Sequence, residues 1–201
     1  MSILAVTSIT NILLASLVFF LAGRMSRIPK TRYSAAWYFT GVLLLLGVAA
    51  LIGAVDHGFV EPASLPRYWI QRADWIVLGG VTFCLLMTTA KQFFDPRFHR
   101  IVLIVAVVQF AADSAAVLLI DSFLDVILNY APVMLLLLVM SIKARSIHLT
   151  AGLLILSFAS AIQAAGWDAL SPLDHNGVYH VVSMPGVLFL YLGGVRLRTT
   201  D

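Results

Sequence analysis

The sequence predicts an all-α membrane protein, one seven-transmembrane helix bundle over residues 1–201 with its N-terminus outside and its C-terminus in the cytoplasm. Three observations carry this. Hydrophobic residues make up 61% of the chain and charged residues 11%, with a mean hydropathy of +0.96, far from the balance of a water-soluble domain. The apolar residues fall into seven runs, each long enough to cross a hydrocarbon core of about 30 Å. The lysines and arginines gather in every second loop.

The runs lie at about 3–23, 35–55, 72–90, 101–120, 123–142, 149–167 and 178–195. Each is expected to be a helix: a lone strand would leave its backbone groups unsatisfied in lipid, and no run shows the period-two alternation of a membrane barrel. The first run has no basic residue before it and Arg24, Arg27, Lys30 and Arg32 after it. That reverses the charge layout of a secretory signal, so it is expected to remain as the first helix. Seven spans and short connections leave no room for a soluble domain.

Orientation follows from the basic residues. The first loop, the third (Lys91, Arg97, Arg100), the fifth (Lys143, Arg145) and the tail (Arg196, Arg198) hold 11 of the 13. This face is expected to be cytoplasmic. The opposite face has only Arg67 and Arg72 and collects Asp56, Glu61, Asp121, Asp125, Asp168 and Asp174. The net charge of +3 is spread over loops, so it reads as a topology signal and no nucleic-acid surface is expected. Cys84 is the single cysteine, which excludes an intrachain disulfide and a CxxC metal site. Short loops suit a bacterial inner membrane.

Candidate chemistry collects at the outer end. His57, His175 and His180 fall at the outer ends of the second and seventh spans, and Asp74 one turn into the third. Three imidazoles and a carboxylate are what a catalytic zinc requires, with nitrogen ligands, an open position for water and a group to orient that water or take its proton. The bland alternative is a set of interfacial polar side chains. His99 and His148 sit beside basic residues on the cytoplasmic face and read as ordinary loop residues.

The stretch Asn176-Gly-Val-Tyr-His180-Val-Val-Ser-Met resembles the seventh helix of the progestin and adipoQ receptor family, where a His-x-x-x-His motif runs into a similar apolar segment. His57 followed 17 residues later by Asp74 is similar to that family's histidine and aspartate spacing. Alkaline ceramidases share this kind of site, within the wider CREST superfamily of seven-transmembrane metal-dependent hydrolases. The resemblance implies that His57 and His180 bind Zn2+, that Asp74 contacts the zinc-bound water as the catalytic base, and that a membrane lipid amide or ester such as a ceramide is hydrolysed. The sequence departs from the pattern twice. Gly53 stands where the family has a serine, and Asn176, preceded by His175, stands at the first histidine of the helix-seven motif. On a regular helix residues 175 and 180 lie about 140° apart, so His175 can be the third ligand only if the helix begins at or after it. Asp174, His175 and Asn176 read as a helix N-cap region, which would allow this; Asn176 is the alternative third ligand, or else an outer-shell partner of the metal.

Asp113 is the acidic residue deepest in a span. At a cost of about 2.5–3.5 kcal/mol near a helix centre, it is expected to face the bundle interior. Gln109 lies one turn before it, Gln163 at a similar depth in the sixth span, and Asn129 is of the same class. Together they are either outer-shell partners of the metal site or hydrogen-bonded structural pairs. Trp37, Tyr38, Trp69, Trp75, Tyr130 and Trp167 fall near span ends and read as interfacial anchors. Pro185-Gly186 is expected to loosen the seventh span, and Gly79-Gly80 and Gly193-Gly194 to permit close helix contact. Lys30, Lys91 and Lys143 all lie in loops, so no lysine is placed for a retinal Schiff base. A haem would lack facing histidines within the membrane. The alternatives to the hydrolase are a non-catalytic metal-binding relative and a small-molecule transporter using Asp113.

Overall fold

The computed structural model describes residues 3–61, 64–168 and 170–200. These form α1 (Ile3–Ser26), α2 (Ala35–Phe59), α3 (Leu65–Phe93), α4 (Pro96–Leu119), α5 (Phe123–Lys143), α6 (Ile147–Ala164) and α7 (His175–Gly194), with no strand among them. All seven helices are long and apolar enough to cross a membrane, so the chain is a multi-pass membrane protein.

Local sequence explains where the helices start and stop. The Ser34, Ser64, Asp95, Ser122 and Asp174 side chains each accept a backbone N–H in the first turn of the helix that follows. At the end of α6, Gly166 takes φ +61° and the Trp167 amide reaches back to the Ile162 carbonyl, a glycine-closed helix terminus.

Three helix starts differ from expectation in ways that matter. The helix α3 starts at Leu65 instead of 72, with Ser64 as cap and Pro66 in its first turn, so Asp74 lies between two and three turns inside it. The charges of Arg67 and Arg72 disguised this turn as a loop. Arg72 is 2% exposed, paired with Asp121 at 2.9 Å and stacked on the rings of Tyr68 and Trp75, so its charge is carried within the helix. His99 and His148, expected in loops, lie in the first turns of α4 and α6; the Asp95 side chain caps the first, whereas Ser146 makes no side-chain capping bond to the second.

Packing is closest between α1 and α2, α2 and α3, and α6 and α7, with α1 against α7 closing that side. The core, including Val18, Ala22, Met25, Phe39, Leu43 and Met87, sits among these helices. Between α6 and α7 a Cβ added at Gly152 would come within 2.6 Å of the Leu190 nitrogen, so glycine there sets the backbone separation. Gly79 meets the Asp113 carboxyl, and Gly193 and Gly194 meet Leu149 and Phe39, the close contacts expected of these glycines. By contrast α4 buries only Ala106, Asp113 and Val117 among its described residues and leaves most of the others exposed. At the basic end, the tail closes over the first loop through Thr199 and Arg198 carbonyls accepting the Thr31 and Ala36 amides.

Candidate functional site

Inside the bundle lies a cavity of about 400 Å³, bounded by α1, α2, α3, α5, α6 and α7. Its acidic end is lined by Asp56, His57, Gln71, Asp74, Asn176 and His180; deeper, Val18, Val42, Leu85, Leu153, Val187 and Leu190 make it apolar. Three of the four primary candidates therefore share one chamber. No lysine or arginine is among its lining residues.

His180 is the most tightly positioned. It is 5% exposed, and its Nδ1 lies 3.0 Å from the Thr10 hydroxyl of α1. Turned toward His180 that hydroxyl would donate to a bare Nδ1; donating its one hydrogen to the Thr7 carbonyl at 2.9 Å, it accepts from Nδ1–H, the arrangement we assign. In the neutral ring this leaves the lone pair on Nε2, the nitrogen free for a ligand. His57 Nδ1 and Asp74 Oδ1 are buried with no hydrogen-bond partner among the described residues. Orphaned buried polar atoms of this kind call for a polar ligand or water. Asp56, beside His57, accepts from Arg67 Nη2 at Oδ2 (3.1 Å) and pairs with Nε across 3.0 Å, so its charge is matched although Oδ1, like the His57 and Asp74 atoms, has no hydrogen bond among the described residues.

His175 is placed differently. It is the first residue of α7, and its side chain turns to Asp168, whose Oδ1 accepts the His175 amide at 2.6 Å and meets Nδ1 at 2.9 Å. It does not line the main cavity. The hydrogen bond from the imidazole holds the exposed Asp168 carboxyl below its ordinary range. Asn176 does line the cavity: its carbonyl oxygen accepts from Gln163 at 2.9 Å, and its amide nitrogen lies 3.3 Å from His175 Nε2. Among the described residues no three His, Cys, Asp or Glu side chains gather closely enough to hold a metal ion. The donor set present, two histidines and Asp74 around a shared space with the third histidine turned away, does not fit the three-nitrogen zinc site that the resemblance implies.

The deeper polar residues separate into two groups. Gln163 belongs to the cavity wall, whereas Gln109 donates to the Asn129 side chain at 2.7 Å and to its backbone carbonyl at 3.2 Å, tying α4 to α5. Asp113 is 7% exposed, packs on Gly79 of α3, and lines no part of the cavity. Of the aromatic residues, Trp37, Trp69 and Trp167 are exposed as anchors would be, but Trp75 and Tyr130 line the cavity and Tyr38 is buried.

Sequence reading missed the contribution of α1. Thr7, Ser8, Thr10 and Asn11 are all buried on it. Thr7 donates to Asp174 at 2.8 Å, Ser8 to the Ala54 carbonyl at 2.8 Å, and Thr10 meets His180. Burial pushes the Asp174 carboxyl up, but hydrogen bonds from the Gly177 amide and Thr7 outweigh it and leave the group below its ordinary range. Asn11 fills the space beside Gly53, where an added Cβ would lie 3.1 Å from its amide nitrogen, and it too lines the cavity. A polar side chain carried by α1 thus stands beside Gly53. The signal was available: four polar residues within five positions of an otherwise apolar span must face protein.

The chain belongs to DUF6962, a family of unknown function, which covers residues 6–199. No curated protein and no solved structure matches it.

Proposed function

We propose that this protein holds one amphipathic lipid inside its helix bundle, with an amide or ester head at His57, Asp74 and His180 and an apolar chain running toward the basic end. The observation that carries this is the cavity itself, polar with unpartnered atoms at one end and apolar along the rest. From His180 to Leu190 the wall rises about 15 Å, half of a hydrocarbon core of about 30 Å, so the chamber suits a chain that fills one leaflet. With no lysine or arginine in the lining, a phosphate head would enter without a compensating charge, whereas an uncharged amide or ester needs only hydrogen bonds. The lysine and arginine bias supports the acidic end facing outward, and short loops suit a bacterial inner membrane.

Hydrolysis of the bound amide or ester is a second reading, favoured by the His180 imidazole held through Nδ1 on Thr10 and by the unpartnered Asp74 oxygen. A base on Nε2, or the unpartnered Asp74 oxygen, can take a proton from water as its oxygen bonds to the carbonyl carbon. The C–N or C–O bond then breaks and the proton passes to the leaving group. Zinc supplies no step here.

Native mass spectrometry of the purified protein, with single-chain lipid amides and esters added, tests the binding reading. One lipid per chain in wild type, lost in Ala50→Phe, which fills the cavity wall, supports it. Equal binding in both overturns it. Fatty-acid release that depends on Asp74 and His180 would support hydrolysis.

A further inference from the structure

We propose that the lipid enters sideways from the bilayer, between the acidic-end halves of α5 and α6, through a second cavity that adjoins the first. This rests on the reading that the main cavity holds a lipid. The second cavity has a volume of about 220 Å³ and lies between α5, α6 and the first turn of α7. Phe123, Tyr130, Ser160, Gln163 and Asn176 line both chambers, so the two adjoin.

The seam is built to part there. Of the neighbouring helix pairs that ring the main cavity, α5 and α6 pack together least, while α5 rests on α3 and α6 on α7. The α6–α7 pair is locked by the Gly152 contact and by Gln163 bonded to Asn176. The hydrogen bond that joins α5 to α6, Ser141 to Thr150 at 3.0 Å, lies at the basic end, beside the tight turn at 144–146. Splaying the acidic ends about that turn keeps this bond. Pro132, inside α5 and two residues from Tyr130, removes a backbone donor and lets the acidic-end half bend. Outside the seam, Leu124 and Leu128 of α5 and Leu154 and Phe158 of α6 are exposed, which suits a mouth opening on lipid tails. A lipid chain passing here comes straight from the bilayer without crossing bulk water, so no hydration of the chain opposes entry.

Ile127 and Ala164 line the second cavity and not the first, which makes a clean test. Ile127→Trp and Ala164→Trp would be placed in liposomes with a fluorescent single-chain lipid amide, beside Ile104→Trp as a control. Ile104 is 56% exposed on α4, which lines neither cavity. Capture and release slowed together by about tenfold or more in the first two, with equilibrium occupancy and the control unchanged, is the expected result. Wild-type rates in both filled variants overturn the portal. A second measurement is independent of the filled variants: Ile127→Cys with Ala164→Cys, in a Cys84→Ala background, bridged by a reducible bis-thiosulfonate. Bridging should stop capture and reduction restore it; capture at full rate while bridged overturns the portal. No lipid bound by wild type at equilibrium would instead overturn the cavity reading on which the portal depends.

Discussion

Replacing Thr10 by valine removes one hydroxyl and keeps the shape of the side chain, which isolates the bond that orients His180. The hydroxyl donates to the Thr7 carbonyl and accepts from His180 Nδ1, and His180 is 5% exposed, so little water can replace it. A buried donor left without a partner costs about 1–3 kcal/mol, and the local bond to Thr7 adds little because that carbonyl keeps its helical partner. Thr10→Val should therefore lose about 1–3 kcal/mol in reversible unfolding in mixed micelles, and Thr10→Ser should recover most of it. The second readout is the tautomer. Nitrogen NMR of labelled His180 should show hydrogen on Nδ1 in wild type and in Thr10→Ser, and loss of that preference in Thr10→Val. Hydrogen on Nε2 in the wild-type protein, or no change in tautomer or stability on substitution, would refute the assignment of a free Nε2 facing the cavity.

Three further outcomes follow from other parts of the structure. Asp174→Ala removes both the cap of α7 and the acceptor of the Thr7 hydroxyl, and should cost about 1–2 kcal/mol in the same unfolding assay, with Asp174→Asn closer to wild type. The Asp168 carboxylate is held low by His175, so its contribution is complete above the unfolded value of about 3.9 and is lost as pH falls through the lower folded value; Trp167 fluorescence should change only in that acid range, and not in Asp168→Asn. With His175 turned onto Asp168, zinc added to purified protein should bind below one ion per chain by mass spectrometry, and His175→Ala should leave that content unchanged. One tightly held zinc lost in His57→Ala, His180→Ala and His175→Ala would show that His175 swings into the cavity.

The helices were legible because composition leaves a chain in lipid few options, and the run lengths and charge alternation agree on seven. The start of α3 was not, since Arg72 reads as a loop charge until Asp121 and two rings are seen to surround it. For the site, His57, Asp74 and His180 come together because alternating spans bring the end of α2 and the early turns of α3 and α7 to the same side of the bundle. The position of His175 depends on the path of the loop before α7, which no periodicity encodes. Its place at the start of the helix, about 140° around from His180, was foreseeable; its bond to Asp168 was not. Asp113 was expected to face inward and does so, but inward at that height means Gly79 of α3 and not the cavity.

The most direct test of the central claim is photo-crosslinking of membrane-embedded protein with two forms of one lipid amide, carrying a diazirine beside the carbonyl or at the chain end. The account predicts labelling near His57, Asp74 and His180 by the first and near Val18, Val42 and Leu190 by the second, both lost in Ala50→Phe. Labels from both forms confined to lipid-facing residues such as Leu103, Ile104 and Leu119 of α4 would contradict it.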